Sequence, residues 1–494
     1  MRYSNMKIGL RSEMSHSLRK NFFYNSAYQI LLMITPLITT PWLSRTIGSS
    51  GNGVFAYTQA IVNYFVMFST LGLSNYGVRI IAECDGDRKK RSRVFWEVIT
   101  MSAGIGLLVL IAYILFVIAF GRRYTQYWIL WGFWVIGSIL DTSWLFFGLQ
   151  EFKMPTIRNF ITKLISVVMI LLLVRDSNDV WVYILAIAAS YLLNSLLLWP
   201  FIPKYVDFIR PTLKGIFSHI KPNLTLFIPV IATSLYTLLD RVMLGAMSGM
   251  GQAGYYDYAE KISKLPMAVI TALGAVVLPK MTAVISAGHT IEGKHLVQKT
   301  MWFMLFCAYG LAFGIASIAP EFVPIFFGEG FESCIPLMRI LSLVIPLICI
   351  TNVIGVQYLL PTHQDNAYTL SVVFGAITNI IINIFAIPHF GAMGAAFATV
   401  LAEFIVLLAQ VRVTRHDLKI TSSILGTIPF AVFGLLMFAI ARLISTIINS
   451  TLTSLFIEIA AGASFYLVLS LVWCELTKNS EFSEIFPRLV KWKD

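Results

Sequence analysis

The chain is short of charge. Only 13% of its 494 residues are Asp, Glu, Lys or Arg, against 57% apolar. A soluble domain carries about a quarter charged residues. No stretch is polar enough to fold alone in water, so a length that would otherwise suggest several soluble domains reads as membrane-embedded. Catalytic signatures are missing as well. There is no HExxH, no Walker loop and no GxSxG, which removes the metalloprotease, nucleotide-driven and serine-hydrolase readings those motifs carry. Gly51-Asn-Gly53 has no strand before it and no GK[ST] after it, so it reads as an interhelical turn and not as a phosphate cradle. The five cysteines, Cys84, Cys307, Cys334, Cys349 and Cys474, show no CxxC spacing. They read as small core residues, with no disulfide framework and no zinc site. The seven histidines are scattered, and no cofactor is expected.

What the chain has is hydrophobic length. Its mean hydropathy is +0.77, and a spanning helix needs about 20 mostly apolar residues. Fourteen segments meet that scale: 21–46, 54–77, 94–120, 127–149, 156–174, 180–200, 223–247, 253–279, 298–319, 334–360, 367–387, 391–410, 422–446 and 451–475. The expected fold class is an all-α integral membrane protein of about 14 transmembrane helices. The basic N-terminus followed by an apolar run imitates a signal peptide, but the run is long and many follow, so it reads as an uncleaved first span.

The net charge of +12 would suggest nucleic acid in a soluble protein. Here Lys and Arg collect in alternate loops. With the N-terminus inside, 28 of the 37 fall in inside segments, which places both termini in the cytoplasm and makes a nucleic-acid partner unnecessary. No outside loop is long; the largest, around 320–333, leaves no room for the external catalytic loop of a membrane polymerase or ligase.

The inside segment 201–222 differs from the other loops. Leu213, Ile216, Phe217 and Ile220 stand at helical spacing beside Lys214 and Lys221, the pattern of an amphipathic interfacial linker. An ordered internal similarity supports a division there. Pro36, Arg45, Gly48, Gly51 and Tyr57 around the first span are matched by Pro229, Arg241, Gly245, Gly254 and Tyr258 around the seventh. Six helices per lobe put both lobes on the same starting side, a parallel repeat about the membrane normal. The expected organisation is an N-lobe over 1–200, the linker 201–222, a C-lobe over 223–410, and two further helices with a cytoplasmic tail over 411–494.

The informative residues are charges within apolar spans, which are expensive in lipid and usually face a bundle interior or a wet cavity. They are Arg45, Arg79, Asp141, Asp240, Arg241, Asp257, Glu260, Lys261, Lys264, Arg339, Glu403 and Glu458. Asp257–Lys261 and Glu260–Lys264 are i,i+4 pairs with the acid N-terminal, the favourable order. They either neutralise each other at the interface or line a site. A guanidinium fork grips a diphosphate bidentately, so Arg45, Arg79 and Arg241, with Lys261 and Lys264, form a candidate substrate-binding lining. Coupling to H+ or Na+ through Asp240, Asp257 or Glu260 is left open. Arg442 and Glu458 read as snorkelling residues or structural pairs. Tyr236, Tyr255, Tyr256 and Tyr258 read first as interfacial belt residues and second as sugar-stacking faces.

Leu43-Ser-Arg45-Thr-Ile-Gly48, the run from Tyr255 to Pro266 continuing to Leu278-Pro279, and the run from Gly391 to Glu403 resemble, in that order, the first, eighth and twelfth helices of the polysaccharide flippases and their lipid II relatives. The resemblance covers most of the chain. It implies the multidrug/oligosaccharidyl-lipid/polysaccharide exporter fold, two six-helix lobes around a cavity. It also implies a Wzx-type flippase that turns a polyprenyl-diphosphate-linked oligosaccharide to the outer face of a bacterial inner membrane. By position, Arg45, Arg79 and Lys261 match cavity-facing basic residues of the family, although Lys261 stands where the lipid II flippases have arginine. The implied partners are the lipid-linked oligosaccharide, membrane lipid, and a polysaccharide polymerase with a chain-length regulator. A drug exporter of the same superfamily and a lipid II flippase are the nearest alternatives.

Overall fold

A computed structural model describes residues 30–486, apart from 85, 288, 419, 449 and 450 and some side chains within 228–236, 269–276 and at 290. Among the described residues the regular structure is helical throughout. The first half runs through α1 (30–46), α2 (Gly48–Thr70), α3 (Leu73–Ala82), α4 (Arg88–Phe120), α5 (Thr125–Ile139), α6 (Ser143–Gly148), α7 (Lys153–Leu173), α8 (Val180–Leu196), α9 (Ile202–Tyr205), α10 (Leu213–Ser218) and α11 (Ile220–Met247). The second half runs through α12 (Met250–Lys264), α13 (Met267–Ser286), α14 (Thr290–Phe326), α15 (Cys334–Ser342), α16 (Val344–Ile354), α17 (Asp365–Phe390), α18 (Ala392–Thr414), α19 (Ile420–Gly426), α20 (Ile428–Ile447), α21 (Thr451–Leu476) and α22 (Ser480–Ile485). Two compact units part between Ile231 and Ala232, inside α11.

Among the described residues, eleven helical segments are long and apolar enough to cross a membrane, and the chain is a multi-pass membrane protein. They coincide with eleven of the fourteen expected spans. Of the other three, 21–46 begins outside the described residues and 223–247 lies within α11. The third, 253–279, is divided at Leu265–Pro266 into α12 and α13. Proline has no N–H for the helix ladder, and the half before it carries Asp257, Glu260, Lys261 and Lys264, so one apolar rod is not what this stretch can form.

Several hydroxyls inside the spans are satisfied locally. Thr35, Thr39, Thr46 and Thr70 donate to carbonyls four residues back, as a medium without water demands. Lipid tails are as apolar as leucine, so helices here associate by close packing and internal hydrogen bonds. In the first unit, Phe55 stacks on Tyr183 with ring centroids 3.9 Å apart. The Trp131 indole donates to Thr58 at 2.9 Å. Gly137 brings α5 onto the backbone of α8, where an added Cβ would lie 2.9 Å from the Leu192 Cα.

The linker is seated on the first unit by the opening turns of α4. Arg88 grips Asp207 with two 2.8 Å bonds and also reaches the carbonyls of Pro203 and Lys204, which holds the exposed Asp207 carboxyl below its ordinary range. Arg91 donates twice to the Tyr205 carbonyl, and the Trp96 indole donates to that of Asp207. Phe208, Leu213 and Phe217 stay exposed, as an interfacial segment requires. The amphipathic helix is shorter than its spacing suggests: α10 is six residues long and gives way to α11 at Ile220.

In the second unit, α17 and α18 form a hairpin that turns at Gly391, whose φ of +55° suits glycine; the Ala392 N–H is taken up by Gln252 Oε1. The helices α20 and α21 close on α14 through Trp302, Phe430 and Tyr466, and the Tyr466 hydroxyl donates to the Phe306 carbonyl at 2.6 Å. Arg442 bridges Glu321 and Glu458 at 2.5 and 2.6 Å, the structural pairing its sequence position suggested with Glu321 as a third member. Pro320 leaves the Ala316 carbonyl without its helical donor, and Arg339 supplies one from 3.3 Å, a structural role for that arginine.

Replacing Gly137 by valine is expected to force α5 from α8 and cost about 1–3 kcal/mol, the usual penalty of overpacking. Gly104→Ala, at a position with open space around it, serves as the control. Thermal unfolding in detergent reads both; equal melting temperatures for Gly137→Val and the parent would refute the packing argument.

Candidate functional site

The helix α12 places its charges by its period alone. Residues four apart lie on one face, and the two pairs expected there are formed: Lys261 Nζ is 2.6 Å from Asp257 Oδ2, and Lys264 Nζ is 2.6 Å from Glu260 Oε1. Arg241, from α11, closes the group. Its Nε stands 3.0 Å from Asp257 Oδ1 and its Nη2 2.8 Å from Glu260 Oε2. Each carboxylate therefore has its two oxygens on two different cations. Asp257 and Glu260 are almost fully buried, whereas 26% of the Lys261 side chain and 37% of the Lys264 side chain remain exposed. Those two lysines are the most exposed part of the cluster; the Arg241 side chain is 18% exposed. Glu403 on α18, also buried, lies within the field of Lys264.

Asp240 belongs to a separate network although it precedes Arg241 in sequence. One oxygen accepts from Tyr256 Oη and Thr399 Oγ1, both at 2.7 Å, and the other from Asn383 Nδ2 at 2.6 Å. Asn383 Nδ2 also reaches Asn379 Oδ1 at 3.0 Å. These donors are neutral. Asn383 Oδ1 and Asn379 Nδ2 are buried without a hydrogen-bond partner. Asp240 is thus a buried carboxylate in an oxygen-rich pocket of α11, α12, α17 and α18, and a charge so placed calls for a cation or a proton.

The site residues expected from sequence divide into three groups. Arg241, Lys261, Lys264, Asp257 and Glu260 come together. Asp240 stands in its own network with Tyr256, Thr399, Asn383 and Asn379. Arg45 and Arg79 are exposed on α1 and α3 of the first unit: Arg45 donates to the Pro41 carbonyl at 3.0 Å, and Arg79 pairs with Glu83 at 2.9 Å. Asp141 holds the Ser143 N–H and hydroxyl, a helix-start contact at α6. The belt reading of the tyrosines needs correction. Tyr256 and Tyr258 are fully buried, and the Tyr256 hydroxyl is committed to Asp240. The side chain of Tyr236 lies outside the described residues. Thr399, Asn379 and Asn383 were missed; the one available signal was two amides four apart in an otherwise apolar helix.

Removing Arg241 would leave each of the two buried carboxylates with a single lysine and one oxygen without its cation. Arg241→Ala is expected to destabilise by about 3–5 kcal/mol, the cost of breaking a buried ion pair from one side. Asp257→Asn with Glu260→Gln in the same chain should recover part of that loss. Thermal unfolding in detergent tests this; an additive loss in the triple variant would show that Arg241 acts by other contacts.

Comparison with known proteins places this geometry. The family described as "Polysaccharide biosynthesis protein" matches residues 18–285. A protein of Escherichia coli (strain K12) named "Putative O-antigen transporter" is 21% identical over 81% of this chain and 97% of its own length. A protein of Haloferax volcanii named "Probable low-salt glycan biosynthesis flippase Agl15" is 23% identical over 53% of this chain and 56% of its own length. Among solved structures, the lipid II flippase MurJ in an inward closed conformation superposes with a TM-score of 0.73 at 17% identity, covering 93% of this chain and 99% of that one. An inward-facing multidrug resistance MATE transporter superposes at 0.64 and 14% identity, covering 80% and 95%. The fold is the one that these MurJ and MATE structures have, as the sequence resemblance implied. With more than half its length matched, the chain belongs to the polysaccharide biosynthesis protein family.

Proposed function

We propose that the protein is a flippase that carries a polyprenyl-diphosphate-linked oligosaccharide from the cytoplasmic to the outer face of a bacterial inner membrane, by alternating access, for surface polysaccharide synthesis. The observation that carries this reading is the cation-rich cluster of Arg241, Lys261 and Lys264 in a membrane protein of the polysaccharide family. Three cations meet two carboxylates, and the exposed ammonium groups of Lys261 and Lys264 can exchange their carboxylates for a diphosphate. A drug exporter taking organic cations would present its carboxylates; here Asp257 and Glu260 are covered. The relatives named for O-antigen transport and glycan flipping support the same substrate class. The count of Lys and Arg supports cytoplasmic termini.

Ion coupling falls to Asp240 in this reading. Asp257 and Glu260 already have cations, while Asp240 has only neutral donors. The Asp, Asn and Thr oxygens around it suit Na+ or a proton.

Deletion of the gene in its own bacterium is expected to leave complete lipid-linked units on the cytoplasmic face and to remove surface polymer. Normal distribution of those units with altered tolerance to cationic drugs would instead support the exporter. In complementation, Lys261→Ala should lower surface polymer at least about tenfold, the weight of one charge-assisted contact, while Lys261→Arg keeps most of it. Unchanged polymer in both Lys261→Ala and Arg241→Ala at normal expression would sink the basic-cluster argument. Asp240→Asn is expected to abolish any dependence of transport on the coupling ion while the protein still reaches the membrane, as surface labelling would report.

A further inference from the structure

The far end of the linker is fastened by a buried titratable group outside the site described above. His219, the residue between α10 and α11, is 7% exposed. Its Nδ1 is 2.5 Å from Tyr76 Oη of α3. Its Nε2 is 3.6 Å from Glu97 Oε2 of α4, buried and short of a hydrogen bond. Glu97, 6% exposed, spends its other oxygen on the Thr212 hydroxyl at 2.8 Å. Gly215 lies directly against that carboxylate: a Cβ there would come 2.0 Å from Oε1. Side chains of α3 and α4 thus hold the segment from Thr212 to His219 on the first unit, and glycine is the one residue that admits the contact.

The hydrogen-bond pattern fixes the protonation state that fits. The Glu97 carboxylate faces Nε2, so the single proton of the neutral imidazole belongs there, and in that tautomer Nδ1 accepts from the Tyr76 hydroxyl. A second proton must go to Nδ1, which turns the Tyr76 hydroxyl from donor to acceptor and puts a charged ring in a buried site. We propose that Tyr76, His219 and Glu97 form a proton site that controls the seating of the linker: with His219 neutral the linker is strapped to the first unit, and a proton on Nδ1 unseats it. Of the other charged groups on the elements packed here, the Arg79–Glu83 pair of α3, Arg88, Lys89, Lys90 and Arg93 of α4, and Arg210, Lys214 and Lys221 on either side of the strap are exposed, and Arg91 of α4 is half-buried on the Tyr205 carbonyl.

The direction of the pH effect follows from linkage. Burial lowers the His219 pKa by more than the Glu97 charge raises it, so the seated linker binds the proton more weakly than a released one. Seating is complete above the ordinary imidazole value of about 6.5 and weakens as pH falls below it. The device does not depend on what the protein carries.

The test is hydrogen–deuterium exchange of the peptide covering 203–219, in the full chain in lipid nanodiscs, at pH 7.5 and 5.5 and corrected for intrinsic rates. In the parent chain, protection should fall at pH 5.5 by about threefold or more, with the 30–60 region unchanged. His219→Gln, which keeps a polar side chain but cannot titrate in this range, should show equal protection at the two pH values. Glu97→Gln removes the group that favours the charged imidazole, so its acid loss should exceed that of the parent. A pH step that survives in His219→Gln overturns the proposal, as does its absence from both the parent and Glu97→Gln.

Discussion

Two carboxylates buried in a membrane-spanning bundle set the terms for the second unit. Asp257 and Glu260 could not remain ionised there alone, since the desolvation of each costs several kcal/mol. Helix geometry gives each a lysine one turn on, and tertiary packing gives both the same arginine. Arg241 has to lie against α12 for this to work, which fixes the pairing of α11 with α12. The division of the expected eighth span at Leu265–Pro266 then separates a charged, internally paired α12 from the apolar α13. The lysines keep part of their surface, so the arrangement that makes the acids tolerable also presents positive charge.

The same constraint accounts for the polar network one residue away. Asp240 is surrounded by a tyrosine, a threonine and two asparagines and has no cation among its hydrogen-bond donors. The two acidic neighbourhoods differ in kind. One is neutralised by the protein's own cations, and the other is held by neutral donors alone. The proposed function rests on that difference, which would not exist if Arg241 reached Asp240 instead.

In the first unit the organising contact is polar as well. The strand of chain between α9 and α11 has no long helix to bury, and it is held by α4 through Arg88, Arg91, Trp96 and Glu97. All four lie within the first ten residues of α4, and each reaches a linker backbone or side-chain group. A loose cytoplasmic loop would leave the exposed Phe208, Leu213 and Phe217 free to move; anchored in this way, they stay on one side, where a membrane surface can take them up.

Much of this was legible in the sequence, for definite reasons. Hydropathy and the scarcity of charge determined the membrane fold, because lipid tolerates only helices or closed barrels and the apolar runs are of helical length. The period of the α-helix determined the Asp257–Lys261 and Glu260–Lys264 pairs, which need only four residues of spacing. Order and spacing of short motifs carried the family. Tertiary structure alone decided the rest. Arg241 chose Asp257 and Glu260 over the adjacent Asp240. Asp240 found Asn383 and Thr399, 143 and 159 residues away. Tyr256 turned inward to a carboxylate where an interfacial place was expected. Arg45 and Arg79 stayed exposed on separate helices. Sequence spacing cannot reach these outcomes, because the partner of a buried polar group is set by which helices pack together, and in a chain apolar on nearly every face the pattern of residues does not say which they are.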